Sequence, residues 1–160
     1  MQIENLHFAI CILQLFRLAE VLVSSESPAR WPWWRRWFGN RSERAAAKFL
    51  RRQGYRIVAR NYRCPHGELD LVVVDCGCVV FVEVRSTGTS DLTKTAASVD
   101  LVKQRRLTNL ALHFLKQHRL LNYPARFDVL LLSWPADKKE PAISHFRNAF
   151  EAVGRFQMYQ

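Results

Sequence analysis

The sequence predicts an α/β fold, a mixed central sheet flanked by helices, and three observations lead to this class. Apolar residues recur with helical spacing in two segments and with strand spacing in five. These segments follow the order helix, three strands, helix, two strands, which is typical of helices packed on a sheet. Hydrophobic residues make up 49% of the 160 positions, which is enough for one domain of this length to bury a core.

The first helix of the domain is predicted from Asn40 to Gln53. Asn40 is placed as its N-cap, Glu43 stands at the capping-box position, and Gly54 follows the last turn. The residues expected to form its buried stripe are apolar and helically spaced: Ala46, Phe49 and Leu50.

A β-hairpin is predicted next, after a strand over 55–62 and a turn over 64–67. Its arms, ELDLVVVD and CVVFVEVR, are rich in Val and Phe. Between them, the segment 76–77 (Cys-Gly) supplies a two-residue turn whose glycine tolerates positive φ. With a loop of this length, Asp75 faces Cys78, which fixes the register of both arms.

Four charged side chains share one face of this hairpin. The register places Asp70 opposite Glu83, and Glu68 opposite Arg85. Facing carboxylates repel each other, so a fold retains them when a shared proton, a nearby cation or a metal ion neutralises them. A cross-strand ion pair between Glu68 and Arg85 on a solvated face is the alternative, and such pairs contribute little. Spacing alone leaves both interpretations open.

The second half of the chain predicts a helix and two strands. The helix runs over 100–118, and its buried stripe is Leu107, Leu110, Ala111, Phe114 and Leu115. Lys103 and Gln104 lie one turn before this stripe and are expected to face the edge of the sheet. A buried strand over 126–134 and a short strand over 143–146 complete the domain.

Positive charge is concentrated in one block of the sequence. The formal net charge is +10, and residues 30–63 hold eleven Lys and Arg residues against the single carboxylate of Glu43. A guanidinium group bonds two phosphate oxygens at once, so nucleic acid is the expected partner. The side chains predicted to contact it are cationic: Arg51, Arg52, Arg56, Arg60, Arg63 and, from the second helix, Lys103.

The N-terminal residues predict an appendage. Segment 6–23 is an apolar run that one Arg and one Glu interrupt, so it does not match a membrane-spanning helix. A helix that packs on the domain, or lies on a membrane or a partner, is expected instead, and membrane contact is the less favoured of these. Residues 31–38 hold four of the five tryptophans, which are suited to base stacking, to a membrane interface or to anchoring the next helix.

The four cysteines match no zinc-site spacing: Cys11, Cys64, Cys76 and Cys78. They are expected to be free thiols. Because free thiols persist in a reducing compartment, a cytoplasmic location is expected.

Seven short motifs, in this order, resemble the YraN family of small bacterial proteins. They are Asn40-x-x-Glu43-x-x-Ala46, Gly54-Tyr55, Arg60-Asn61-Tyr62-Arg63, Gly67-Glu68-Leu69-Asp70-Leu71, Val80-Phe81-Val82-Glu83-Val84, Lys103-Gln104-x-Arg106-Leu107 and Arg126-Phe127-Asp128-Val129. That family is similar to restriction-endonuclease-type PD-(D/E)xK nucleases, nearest to archaeal Holliday junction resolvases. The resemblance implies an endonuclease-like domain over residues 39–160 and leaves residues 1–38 as an N-terminal extension.

The resemblance also implies a restriction-endonuclease-like fold and metal-dependent cleavage of DNA, including branched DNA, without a small-molecule cofactor. Asp70 and Glu83 would be the ligands of Mg²⁺ or Mn²⁺. Glu43, Glu68 and Gln104 would be supporting residues. Mg²⁺ prefers one or two carboxylates together with waters, which agrees with this set, and such an ion polarises a phosphoryl oxygen.

Arg85 departs from the family's pattern, which has lysine at this position. Arginine does not lose its proton in proteins, but the charge of Arg85 is still suited to stabilising the transition state or binding the scissile phosphate. Three functions therefore stay open. They are a metal-dependent DNA endonuclease, a nucleic-acid-binding module with impaired catalysis, and a membrane- or partner-docking protein.

Overall fold

A computed structural model describes residues 33–87, 99–135 and 139–154, with side chains from residue 41 onward. The elements in chain order are α1 (Trp33–Arg52), β1 (Arg56–Cys64), β2 (Gly67–Asp75), β3 (Cys78–Thr87), α2 (Leu101–Gln117), β4 (Ala125–Ser133) and β5 (Ala142–Phe150). The expectations for residues 1–32, among them the apolar segment, lie outside the described residues. Neither of the described helices combines the length and apolarity that crossing a bilayer requires.

The five strands form one mixed sheet in the order β1-β2-β3-β4-β5. Neighbouring strands are antiparallel, except that β3 and β4 run parallel. A parallel pair needs a long crossover, and the chain between β3 and β4 contains α2. The predicted class, an α/β fold with a mixed sheet flanked by helices, is confirmed.

The two faces of the sheet carry different helices. One face packs against α1 in a buried apolar cluster: Ala46, Ala47, Leu50, Tyr55, Leu71, Val73, Val80, Val82, Leu130 and Leu132. On the other face, the ring of Phe114 from α2 meets the ring of Phe81 edge-on, with centroids 5.8 Å apart. Phe81 alternates with its strand neighbours and therefore faces away from the α1 cluster. Helices on both faces explain why the centre of β2 is apolar without alternation.

The start of α1 differs from the prediction. The helix begins at Trp33, so Asn40 lies within it and is not its N-cap, and Glu43 is not a capping-box residue. The physical reason is that arginine and tryptophan propagate a helix, and Gly39 weakens one by about 1 kcal/mol without ending it. Gly54, at φ +89°, follows the last turn as predicted.

Strand β5 is longer than predicted. The sequence predicts a short strand over 143–146, whereas the structure pairs Ala142–Phe150 with β4, with a register shift opposite Phe127 and Val129. Most of β5 is partly or fully exposed at the edge of the sheet. An exposed edge strand needs no regular apolar alternation, and for this reason the pattern missed its second half.

The predicted turn and register of the hairpin are confirmed. Both residues of the turn 76–77 have positive φ, at 46° and 91°, as a type I′ turn requires. The ladder between β2 and β3 runs from Asp75–Cys78 to Leu71–Val82. The local turn chemistry therefore sets which side chains of the two strands share a face.

Candidate functional site

Asp70 and Glu83 approach each other where β2 and β3 separate. The ladder ends at the pair Leu71–Val82, one position short of them. Oδ2 of Asp70 instead accepts a hydrogen bond from the backbone N–H of Val84, at 2.8 Å. The carboxylate thus takes the place of the next backbone acceptor and lies in the opening between the strands.

The two carboxylates are partly buried, and their like charges repel each other. Burial raises the pKa of Asp70 to about 7, and the negative charge of Glu83 contributes to the rise. The side chain of Glu83 is only 11% exposed. Near neutral pH, the pair therefore either binds a proton part of the time or is stabilised by a cation beside it.

Lys103 supplies such a cation from α2. Its Nζ forms an ion pair with Oε1 of Glu83, and its charge counters the rise in the pKa of Asp70 that burial and Glu83 cause. Asp100 caps the helix, since its Oδ1 accepts a hydrogen bond from the backbone N–H of Lys103 at 2.7 Å. The sequence predicts Lys103 as a nucleic-acid contact. Its contact with the carboxylates was missed, although its position one turn before the buried stripe is the signal for it.

Glu43 approaches the same site from α1. Burial raises the pKa of its carboxyl group, a hydrogen bond from Asn61 opposes the rise, and its charge in turn adds to the rise at Asp70. Its Oε2 is buried and has no hydrogen-bond partner among the described residues. A buried acceptor without a donor is costly, and here it lies near two further carboxylates.

The other predicted supporting residues have different neighbours. Glu68 is exposed and pairs with Arg63 of β1 at 3.4 Å, and the ladder of β2 and β3 ends before the position at which Arg85 is expected opposite it. Arg85 lies in the part of β3 that continues along β4, and it is partly buried. The side-chain amide of Gln104 donates to the carbonyl of Val99 at 2.7 Å and so braces the chain that enters α2.

The predicted nucleic-acid contacts of α1 and β1 are all exposed: Arg51, Arg52, Arg56, Arg60 and Arg63. They do not form one compact group. Arg63 faces Glu68 near the carboxylate site, whereas Arg56 faces Val74 at the far end of β1. At about 3.3 Å per residue, the set spans on the order of 20 Å along this edge of the sheet.

A second charged cluster, to which the sequence assigns no role, joins the hairpin tip to β4 and β5. Its members are Asp75, Arg126, Asp128, His145 and Arg147. Asp128 is fully buried, and it accepts hydrogen bonds from Nε of Arg126 at 3.0 Å and from the backbone of Asn148 at 2.9 Å. Burial alone would raise the pKa of Asp128, but the bonds from His145 and Arg126 lower it. The cluster is satisfied internally, and Arg126-x-Asp128 on one strand face was its sequence signal.

Metal-ligand candidates are few within the described ranges. No group of three or more His, Cys, Asp and Glu side chains there is arranged to hold a metal ion. Cys64, Cys76 and Cys78 are free thiols, as predicted. Asp70 and Glu83 therefore offer a set of two carboxylates, which suits a hard cation that keeps several waters.

Comparison with known proteins identifies the family. The model of the uncharacterised protein family UPF0102 matches residues 42–132. A UPF0102 protein of Rhodopirellula baltica is 40% identical over 124 residues, which cover 76% of this chain and 74% of that protein. UPF0102 proteins of Desulfosudis oleivorans (37% identical; 74% of this chain, 93% of that protein) and Nitrosomonas europaea (40%; 71% and 92%) are also similar. The chain therefore belongs to the UPF0102 family, the YraN family that its motifs resemble.

Proposed function

We propose that this protein is a divalent-metal-dependent DNA endonuclease that hydrolyses phosphodiester bonds. The observation that carries the proposal is the partly buried pair Asp70–Glu83, in which the pKa of Asp70 is raised to about 7. Perturbed carboxylates of this kind cluster at functional sites, because a structural role alone would favour neutral side chains there.

The residues at this site fit Mg²⁺ or Mn²⁺. Asp70 and Glu83 would hold the ion. Oε2 of Glu43 has no hydrogen-bond donor among the described residues, so a cation in the same region would also stabilise this carboxylate. When bound, the ion acts as a Lewis acid on a phosphoryl oxygen.

The chain's own cations complete the chemistry. The ammonium group of Lys103, beside Glu83, is a donor close to where negative charge develops on the phosphoryl group. Arg85, two residues after Glu83 on the same face of β3, would bind the scissile phosphate. In the reaction, the oxygen of a water bonds to phosphorus and that water loses one proton to solvent, while the bond from phosphorus to the bridging deoxyribose oxygen breaks and this oxygen gains one proton from solvent.

Long-range electrostatics supports DNA as the substrate. The net charge of +10 attracts a polyanion. The exposed side chains of Arg60 and Arg63 lie close to the site, because their charges lower the pKa of Glu43 against the effect of its burial. A cytoplasmic place of action is part of this proposal.

A nucleic-acid-binding module with impaired catalysis is the second candidate. Arg85, in place of a lysine, is the observation that favours it, since arginine cannot exchange a proton with water near neutral pH. The binding surface would be the same in both cases, so cleavage alone separates the two candidates.

Cleavage of three DNA substrates tests the proposal. Plasmid, single-stranded and four-way-junction DNA would be incubated with Mg²⁺ or Mn²⁺ and with the wild-type protein, Asp70→Ala or the matched control Glu140→Gln. We expect metal-dependent cleavage that Asp70→Ala abolishes and Glu140→Gln leaves within about twofold, because Glu140 is exposed, pairs with Lys48 and has no part in the proposed site. Cleavage that persists in Asp70→Ala would exclude this site.

Arg85→Lys separates the two candidates. Because both side chains are cationic, DNA affinity should stay within about twofold, whereas the rate of metal-dependent cleavage should rise about tenfold or more. The rise should disappear in the double variant with Asp70→Ala. If neither the wild-type protein nor Arg85→Lys cleaves DNA although both bind metal and DNA, the result would favour the binding module.

A further inference from the structure

Arg106, on the second turn of α2, lies against the glycine that begins β2. Gly67 has φ +137°, and a Cβ there would lie 2.7 Å from Nη2 and 3.0 Å from Nε of Arg106. Because glycine has no side chain, Gly67 leaves room for the guanidinium group and adopts this positive φ without a steric penalty. The turn between β1 and β2 therefore leaves room for the guanidinium group beside Gly67.

This guanidinium group is positioned but unpaired within the described part of the chain. The side chain of Arg106 is exposed, and the carboxylate next to Gly67, that of Glu68, pairs with Arg63 at 3.4 Å. None of the ion pairs or hydrogen bonds found among the described residues involves Arg106. Its planar set of N–H donors matches the geometry of a phosphate group.

Arg106 lies beside the carboxylate site. Lys103, which contacts Glu83, is three residues earlier on α2, about 4.5 Å along the helix axis. Gly67 is three residues before Asp70 on β2, about 10 Å at 3.3 Å per residue. Successive phosphates of a DNA strand advance about 3.4 Å along the duplex axis, so a group about 10 Å from the site can meet a phosphate within about three nucleotides of the one held there.

We propose that Arg106 binds a backbone phosphate that flanks the one held at Asp70 and Glu83, and that the absence of a side chain at Gly67 leaves the space that the guanidinium group occupies. This inference rests on the proposed function and extends its DNA-binding part. Arg106 is a positioning residue, because it aligns the strand without touching the reacting atoms.

Binding without divalent metal tests the inference first. Labelled duplex and four-way-junction DNA would be titrated in EDTA over a series of salt concentrations with the wild-type protein, Arg106→Ala and Arg105→Ala. Arg105 is the matched control, since it is the adjacent exposed arginine on the same helix. Arg106→Ala should bind about tenfold more weakly, with a salt slope smaller by about 0.9. Arg105→Ala should stay within about twofold.

Gly67→Ala tests the part played by the glycine. It should lower DNA affinity as Arg106→Ala does, and the double variant should lose no more than either single variant. Circular dichroism establishes that each variant is folded. If Gly67→Ala is not, Arg106→Lys replaces it and should recover only part of the lost affinity, because lysine keeps the charge but lacks the planar fork.

Cleavage in Mg²⁺ gives a second readout. Because Arg106 positions the strand, Arg106→Ala should raise KM and leave kcat within about twofold. A fall in kcat at constant KM, or equal DNA affinities for Arg106→Ala and Arg105→Ala, would overturn the inference and leave the proposed function intact. Failure of the wild-type protein to bind DNA would overturn both.

Discussion

At the scale of single residues, the partly buried charge of Asp70 suits the candidate site but lowers the free energy of unfolding. Its ordinary pKa of 3.8 rises to about 7 through burial and the charge of Glu83. Between these two values, the folded state binds more protons than the unfolded state. The free energy of unfolding therefore falls as the pH rises from about 4 through 7.

Asp70→Asn should remove this dependence. At 1.36 kcal/mol per pKa unit, Asp70 lowers the free energy of unfolding by up to about 4 kcal/mol between pH 4 and pH 8. Asparagine keeps an acceptor for the N–H of Val84 without the charge, so the variant should be the more stable protein at pH 8. Urea unfolding in EDTA at pH 5 and pH 8 measures the difference, with Glu68→Gln as the exposed control. An identical pH dependence of Asp70→Asn and the wild-type protein would contradict the prediction.

At the scale of elements, the first turn of α2 delivers Lys103 to the carboxylates. Asp100 caps this turn through its carboxylate, and its carbonyl accepts the N–H of Gln104 at 2.9 Å. Leu101 and Val102, the first residues of the helix, are exposed and add little packing. The cap is therefore a local restraint on the position of Lys103, together with the hydrogen bond from Gln104 to Val99.

Asp100→Ala should destabilise the fold and disturb the site together. Loss of an N-cap lowers the free energy of unfolding by about 1 kcal/mol. Under the proposed function, it should also lower the cleavage rate by more than Asp100→Ser, which retains a capping oxygen. Chemical denaturation and the DNA cleavage assay measure the two effects. Equal rates for both variants would show that the cap does not control the site.

In contrast to Asp70, the buried charge of Asp128 on β4 raises the free energy of unfolding near neutral pH. Asp128 is 0% exposed, and Arg126 and His145 hold its pKa below the ordinary value against the effect of burial. Its contribution to stability is present above an unfolded pKa of about 4 and is lost as the pH falls through the lower folded value.

Asp128→Ala should cost about 3 kcal/mol of unfolding free energy or more, since it leaves His145, Nε of Arg126 and the backbone N–H of Asn148 without their buried acceptor, although Arg126 keeps its ion pair with Asp75. Lys48→Ala breaks the exposed pair with Glu140, whose side chains are 59% and 74% exposed, and should cost less than about 1 kcal/mol. Urea unfolding at pH 7 compares the two variants. A loss in Asp128→Ala no larger than in Lys48→Ala would mean that the cluster does not stabilise the sheet.

At the scale of the whole molecule, the arginines along α1 and β1 should dominate the salt dependence of DNA binding. Replacing Arg51, Arg52, Arg56 and Arg60 together by alanine should lower the slope of log affinity against log salt by up to about 3.6, because each arginine that no longer binds a phosphate removes about 0.9. The double variant Lys116→Ala, Arg119→Ala, at the end of α2, is the control. An unchanged slope in the fourfold variant would place the DNA-binding surface elsewhere.

The sequence by itself determined the local structure of the site. The two-residue turn at 76–77 sets the register of β2 and β3, and the apolar stripe that begins at Leu107 predicts α2. These features depend on neighbours within a few residues, such as turn conformation, capping and alternation. For the same reason the sequence alone predicts that Asp70 and Glu83 belong to one site.

Only the tertiary structure decided which distant groups meet. Lys103 reaches Glu83, and Arg126 reaches Asp75, because the sheet and the crossover bring elements together that are remote in sequence. No local pattern specifies such contacts, since they depend on how whole elements pack. The starts and ends of elements at the periphery, as in α1 and β5, were misjudged because exposed positions impose little apolar periodicity.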